Sequence, residues 1–177
     1  MSMNASRFAG STLALALVLW AGCAPHTVEA EDTALSEASS SSQAPEWKVP
    51  NLDGGTVSSA EFKGKVLVVD FWATWCGPCV SEIPGYIELQ KKYAAQGLVF
   101  VGLSIDEAGP DVVRKFVKAH KINYAIGMAD SDVQTAFGGF EAIPTTFVID
   151  REGRIRHKKT GAANMSDFEA ILKPLLK

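Results

Sequence analysis

The chain has 177 residues, 47% of them hydrophobic, and carries 17 Lys and Arg against 20 Asp and Glu, a net charge of −3. That length suffices for one domain with a well-buried core. The charge balance lacks the basic excess that tracks a phosphate backbone, so nucleic acid is excluded as an expected partner.

In chain order, residues 1–7 carry one positive side chain, and residues 8–20, "FAGSTLALALVLW", form a short apolar run. The run is too short for a comfortable membrane-spanning helix and fits the apolar region of a secretory signal, which gives 1–22 as a signal peptide. The following "WAGCAP" resembles a bacterial lipoprotein signal, in which the cysteine, here Cys23, becomes the lipidated first residue of the mature chain. Trp20 stands where that pattern has an aliphatic residue, and an ordinary signal cut near Ala24 or Ala30 is the alternative. Residues 23–44 are small, polar and acidic without apolar periodicity, the composition of a disordered tether. From Pro45 onward basic and acidic side chains balance at 16 each, so the negative charge of the mature chain sits in the tether.

Residues 45–177 alternate strand-like and helix-like patterns, which argues for an α/β domain with a mixed sheet. "KVLVVDFW", residues 65–72, has the β-branched and aromatic content of a strand buried on both faces. "VSEIPGYIELQKKYAAQG" suits an amphipathic helix that stops at Gly97, with Pro84 expected to kink it. "LVFVGLSI", residues 98–105, predicts a second buried strand, and Pro110 opens a helix to about His120. A short strand is expected at residues 124–127, then a short helix with Ser131 and Gln134 as a capping box. Residues 145–149 and 154–158 predict a hairpin around "DREG" with Gly153 in the left-handed position, and Ser166 with Glu169 predicts a capping box for the last helix.

The chemistry concentrates in "WCGPC". A Cys-x-x-Cys pair serves as half of a zinc site, a haem attachment or a redox dithiol. Beyond the pair the chain offers only Cys23 and three scattered histidines, too few ligands at the right spacing for structural zinc. Val80, not His, follows Cys79, which excludes a c-type haem site. A structural disulfide remains open, although a loop this small would stabilise the fold little. Placed where a strand hands over to a helix, Cys76 meets unpaired amides and the positive end of the helix dipole, which favours its thiolate and makes it the attacking sulfur; Cys79, one turn in, resolves. Gly77 and Pro78 favour a tight turn into the helix. Asp70, an acid within a two-sided buried strand, is expected to have its pKa raised toward neutrality by desolvation and to accept the proton of Cys79.

"VDFWATWCGPC" together with "AIPTTFVID" and "KTGA" resembles the thioredoxin superfamily, over essentially all of residues 45–177. "FWATWCGPCVSEIP", with Glu82 and Pro84 after the pair, is similar to the exported TlpA/ResA-like thiol-disulfide oxidoreductases. The resemblance implies a central mixed sheet flanked by helices, with an N-terminal strand or hairpin extension. It implies Cys76 as nucleophile, Cys79 as resolving cysteine and a redox-active disulfide between them. Pro144 matches the cis-proline, with Ile143 offering its backbone to a substrate strand; Trp75 matches the exposed aromatic beside the pair, and Gly161 the small residue that keeps the groove open. Gly77 and Pro78 belong to the same groove. Glu107 resembles the active-site glutamate of the ResA-like branch, with a solvated strand-end acid as the alternative, and Glu82 is equally well a solvated helix-face residue.

The expected function is reduction of disulfides in envelope proteins, such as the haem-site cysteines of apocytochrome c, by a monomer that needs no metal or organic cofactor. Electrons would come from a membrane thiol-transfer protein, in the periplasm or cell envelope of a bacterium, with Cys23 as the membrane anchor. Two rivals share the cysteines: a peroxidase of the peroxiredoxin or glutathione peroxidase kind, and a metallochaperone offering two thiolates to copper.

Overall fold

A computed structural model of the protein describes residues 42–177. The expected signal peptide, the lipidation site Cys23 and the tether as far as residue 41 lie outside the described residues.

The expected N-terminal extension is a hairpin of β1 (Lys48–Pro50) and β2 (Thr56–Ser58), paired antiparallel. The main sheet is built on β3 (Val66–Trp72), buried at every position as a two-sided apolar run requires. Helix α1 (Gly77–Tyr93) leads from it to β4 (Leu98–Ser104), which lies parallel to β3. Helix α2 (Pro110–His120) opens on Pro110 and is followed by β5 (Ala125–Met128), α3 (Ser131–Ala136), β6 (Thr145–Ile149), β7 (Ile155–Thr160) and α4 (Met165–Leu172). The strand order β5-β4-β3-β6-β7 combines parallel β5, β4 and β3 with antiparallel β6 and β7, a mixed sheet of the thioredoxin-like kind.

Strand periodicity sorts the core. Leu67, Val69 and Phe71 share one face with Val101, Leu103 and Phe147, against Val49 and Val57 of the hairpin and Val133 of α3. Val66 and Val68 share the other with Val148, beneath Tyr86 and Leu89 of α1 and Phe168 and Leu172 of α4. Asp70, two residues on from Val68, therefore points to the face that α1 and α4 cover. The hairpin packs so closely on β5 that a Cβ at Gly127 would stand 2.5 Å from Val49 Cγ2, which leaves glycine as the residue that fits.

Local signals placed the elements well and their caps less well. Gly153 has φ 80° in the β6–β7 turn, as expected. The expected box on Ser131 and Gln134 is replaced by Asp130, whose extended backbone suits the cap and whose carboxylate accepts from the Val133 amide at 2.9 Å. Asn164, not Ser166, caps α4, accepting from the Ser166 amide at 2.9 Å. Glu169 turns instead to Lys92, at 2.8 Å, and to Tyr93 on α1, so tertiary partners outcompete the local box. Helix α1 continues through Pro84 as one helix, and β5 begins one residue later than the sequence pattern suggests.

At the other chain end of the domain, the Ile155 amide donates to the Ser42 carbonyl at 2.9 Å and the Ala44 amide to the Gly153 carbonyl at 2.8 Å. The backbone is thus held beside the β6–β7 turn from residue 42.

Candidate active site

The loop between β3 and α1 brings the two cysteines together. Cys76 is the N-cap of α1, with extended backbone, and its Sγ accepts the Cys79 amide at 3.2 Å, the contact a serine or aspartate makes at such a position. Cys76 and Cys79 are joined as a disulfide, S–S 2.03 Å, with Cys76 6% exposed and Cys79 2%. Pro78 sits in the first turn, where its missing amide proton costs nothing, and Gly77 and Pro78 are both exposed. Trp75, 68% exposed, stands next to the pair in the chain.

The loop ahead of β6 faces the disulfide from the other side. The Ile143–Pro144 peptide is cis, and the Ile143 carbonyl oxygen lies 3.8 Å from Cys76 Sγ. Gly161, just past β7, donates its amide to the Pro144 carbonyl at 2.8 Å and so ties the end of β7 to that loop.

Three buried acids lie around the dithiol end of the sheet. Asp70 is 6% exposed, and its Oδ1 accepts from Thr146 Oγ1 at 2.9 Å. Burial pushes its carboxyl up to about 7, the nearby Glu82 charge adding to the rise, while the Thr146 hydrogen bond and Lys159 oppose it. The shift to neutrality is the one desolvation was expected to produce. Glu82 is 3% exposed, not solvated: its position three residues beyond Cys79 turns it inward with the buried face of α1. Its Oε1 accepts from Lys159 Nζ at 2.6 Å and from the Ala163 amide at 2.6 Å. Tyr86 completes the group, its hydroxyl 3.4 Å from Thr146 Oγ1 and its phenol pushed by burial above the ordinary range.

The third acid is Asp106, and it changes the expectation at the end of β4. Glu107 is exposed on the turn there and makes no hydrogen bond or ion pair among the described residues, whereas Asp106 is buried. Asp106 accepts from the Thr74 amide at 2.9 Å, from Thr74 Oγ1 at 2.5 Å and from Ser104 Oγ at 2.7 Å, fixing the backbone two residues before Cys76. Replacing Asp106 by alanine leaves those donors without an acceptor. It is expected to cost about 3 kcal/mol, read as a lower denaturation midpoint of the oxidised protein, with Asp106→Asn costing less.

The buried or half-buried polar residues near the dithiol that sequence reasoning missed are thus Asp106, Lys159 and Thr146. Only Asp106 had a local signal, its place at the carboxyl end of a buried parallel strand. Among the described residues no three His, Cys, Asp or Glu side chains come together in a way that could hold a metal ion.

A strand-to-helix dithiol beside a cis-proline loop on a mixed sheet narrows the comparison with known proteins. The family model described as the AhpC/TSA family matches residues 41–158. The chain belongs to the AhpC/TSA family. The chain is 31% identical over 134 residues to thiol-disulfide oxidoreductase ResA of Bacillus thuringiensis subsp. konkukian (strain 97-27), a match covering 75% of this chain and 76% of the relative. Among solved structures it resembles a thiol:disulfide interchange protein of the thioredoxin family from Chlorobium tepidum TLS, with TM-score 0.71 and 38% identity over 77% of this chain and 97% of that one. A second structure from Chlorobium tepidum, a thiol:disulfide interchange protein DsbE, gives TM-score 0.73 at 27% identity over 78% and 98%. This AhpC/TSA family member is a thiol-disulfide oxidoreductase with a thioredoxin-like fold.

Proposed function

We propose that the protein reduces disulfides of other envelope proteins through Cys76 and Cys79, with the haem-site cysteines of apocytochrome c as the leading substrate class. The Cys76 thiolate attacks one substrate sulfur, forming a mixed disulfide and expelling the other as a thiolate. Cys79 then loses its proton to the Asp70 carboxylate and attacks Cys76 Sγ; the Cys76–Cys79 bond forms and the second substrate sulfur leaves as a thiolate. The substrate gains two electrons and, after protonation, two hydrogens, and the enzyme dithiol loses as many. Return to the dithiol takes two electrons from a membrane thiol-transfer protein.

The observation that carries this reading is the placement of Cys76. Its sulfur caps a helix whose Cys79 amide already points at it, and the Ile143 carbonyl beside it can pair with an extended substrate segment. Trp75, exposed next to the pair, offers that segment an apolar rim, and Gly161 adds no side chain to the groove. Asp70 is the proton acceptor in this scheme because it titrates near neutrality and Glu107 stands in solvent.

The site of action follows from the signal and from Cys23, proposed as a lipid anchor in the envelope. Metabolic labelling with a palmitate analogue is expected to mark the parent and not Cys23→Ala, and the variant is expected to leave the membrane fraction. An unlabelled parent would mean an ordinary signal cut. A deletion strain is expected to accumulate disulfide-bonded apocytochrome c and lose holocytochrome, and unchanged holocytochrome would remove that substrate.

A further inference from the structure

The balanced charge of the domain is not evenly spread. β3, β4 and β5 are parallel, so all three begin at the end of the sheet opposite the disulfide, where β6 also finishes with Ile149 opposite Leu67. Four stretches come together there: residues 63–65 ahead of β3, 91–97 at the close of α1, 118–124 at the close of α2, and 150–154 in the β6–β7 turn. They hold eight Lys and Arg against two acids, Asp150 and Glu152. The stretches at the disulfide end, residues 73–76, 105–109, 129–130, 137–144 and 161–164, hold four acids and neither Lys nor Arg. The Arg151 guanidinium stitches the basic end together, donating to the Gly64 carbonyl at 3.2 Å and to the Gln96 carbonyl at 2.9 Å.

Neighbouring acids neutralise little of this end. Glu46 lies 3.3 Å from Lys63 with both side chains in solvent, Glu169 is shared between Lys92 and Lys173, and Asp150 lies 3.5 Å from Arg156. Lys65, Lys91, Lys118, Lys121 and Arg154 are exposed, and their side chains make no ion pair among the described residues. The lysines at the close of α1 and α2 also complement helix ends, but Lys65, Arg151 and Arg154 stand where no helix finishes. The seven residues of β3 set the two ends about 20 Å apart. Screening in physiological salt acts over about 8 Å, so a surface touching the basic end feels its cations and little of the acids beyond. A domain that is neutral as a whole can thus bind an anionic plane through one end. The chain outside the domain departs from that same end, with Gln43 paired to Arg154 and the Ser42 carbonyl accepting from Ile155.

We propose that this basic end is a docking surface for an anionic phospholipid bilayer, with Lys65, Lys91, Lys118, Lys121 and Arg154 meeting the headgroup phosphates. The choice of a bilayer as occupant rests on the reading of Cys23 as a lipid anchor, which keeps this end of the domain beside the membrane. Each cation near an anionic bilayer is worth roughly a fivefold gain in binding. Five of them give salt-reversible binding no stronger than that of a single acyl chain, enough to orient an anchored domain and too little to hold a free one.

The test uses the exported Cys23→Ala chain, which carries no lipid, with vesicles of phosphatidylcholine alone or of phosphatidylcholine and phosphatidylglycerol in equal parts. Cosedimentation in low salt is expected to be at least about tenfold greater with the anionic vesicles, and the difference is expected to vanish in about 0.5 M salt. In the same Cys23→Ala background, Lys65→Glu/Arg154→Glu is expected to fall to the level of the neutral vesicles. Lys115→Glu/Lys158→Glu, with the same net charge but altered away from this end, is expected to bind within about threefold of the unsubstituted chain. Insulin reduction with dithiothreitol as electron source is expected to continue within about twofold on the anionic vesicles, because the disulfide faces away from them. Equal binding to both vesicle types, an equal loss in the two double variants, or loss of turnover on the vesicles would overturn the proposal. So would binding that emerges only when Glu29, Glu31, Asp32 and Glu37 are all changed to Gln, since the chain's own acidic tether would then be the occupant. Should palmitate labelling of the parent fail, the anchor reading falls, and the vesicle comparison still decides this one because it needs no lipid on the chain.

Discussion

Cys79→Ser is expected to turn a catalyst that releases its substrate into one that keeps it. With the resolving sulfur gone, Cys76 still attacks, but nothing displaces the substrate from the mixed disulfide, so one covalent equivalent accumulates and turnover stops. Cys76→Ser removes the first step itself and is expected to lower disulfide reduction at least about a thousandfold, with no adduct. The asymmetry is the informative result, because it follows from burial and capping: Cys76 sits at the helix start with the Cys79 amide on its sulfur, while Cys79 is nearly inaccessible at 2% exposure. Intact-mass measurement before and after dithiothreitol reads the adduct directly. Adducts on both variants, or on Cys76→Ser alone, would reverse the assignment of attacking and resolving sulfur. Recovery of no adduct, with rapid consumption of hydrogen peroxide by the reduced parent, would favour the peroxidase reading of the same fold.

Asp70→Asn is expected to make the protein more stable and less active, and the pH dependence of the gain is the test. The Asp70 carboxyl ionises at about 7 in the folded protein against an ordinary 3.8. Below about pH 4 the acid is protonated in both folded and unfolded chains and costs the fold nothing. As the pH rises toward 7 the unfolded chain releases its proton while the folded one retains it, so stability falls through that window and levels off above it. The full penalty is on the order of 4 kcal/mol, and an asparagine, which can still accept from Thr146, escapes it. Chemical denaturation of the oxidised protein is therefore expected to show a gain at pH 8 that shrinks to nothing at pH 4. An equal gain at both would mean that packing and not charge is responsible. The same substitution removes the base for Cys79 and is expected to slow disulfide reduction about a hundredfold.

The sequence disclosed those parts of the site that are local in the chain. The two-sided strand, the dithiol at a helix start and the oddity of an acid inside the strand all lie within ten residues of Asp70. What stayed hidden is long-range. Lys159 meets Glu82 across 77 residues, a separation that leaves no periodicity or motif to detect, and Asp106, marked only by its place after a buried strand, meets Thr74 across 32. Glu82 could be read either as part of the motif or as a solvated helix-face residue because the residues around it on α1 are mixed; its burial depends on where β7 and the segment at Ala163 close over the helix. Glu107 and Asp106 differ by one position, yet the turn after β4 sends one to solvent and the other under Thr74.

The attachment of Ser42 and Ala44 beside the β6–β7 turn bears on how the enzyme would be presented. β6 runs antiparallel to β3, with Ile149 opposite Leu67, so that turn lies at the pole of the sheet opposite the disulfide. A domain leashed to a bilayer through Cys23 would have its leash leave from the far pole, and its reactive end would look outward into the envelope. Substrates free in the envelope would meet the disulfide head-on, whereas recharging by a partner embedded in the same bilayer would require the whole domain to somersault on its leash.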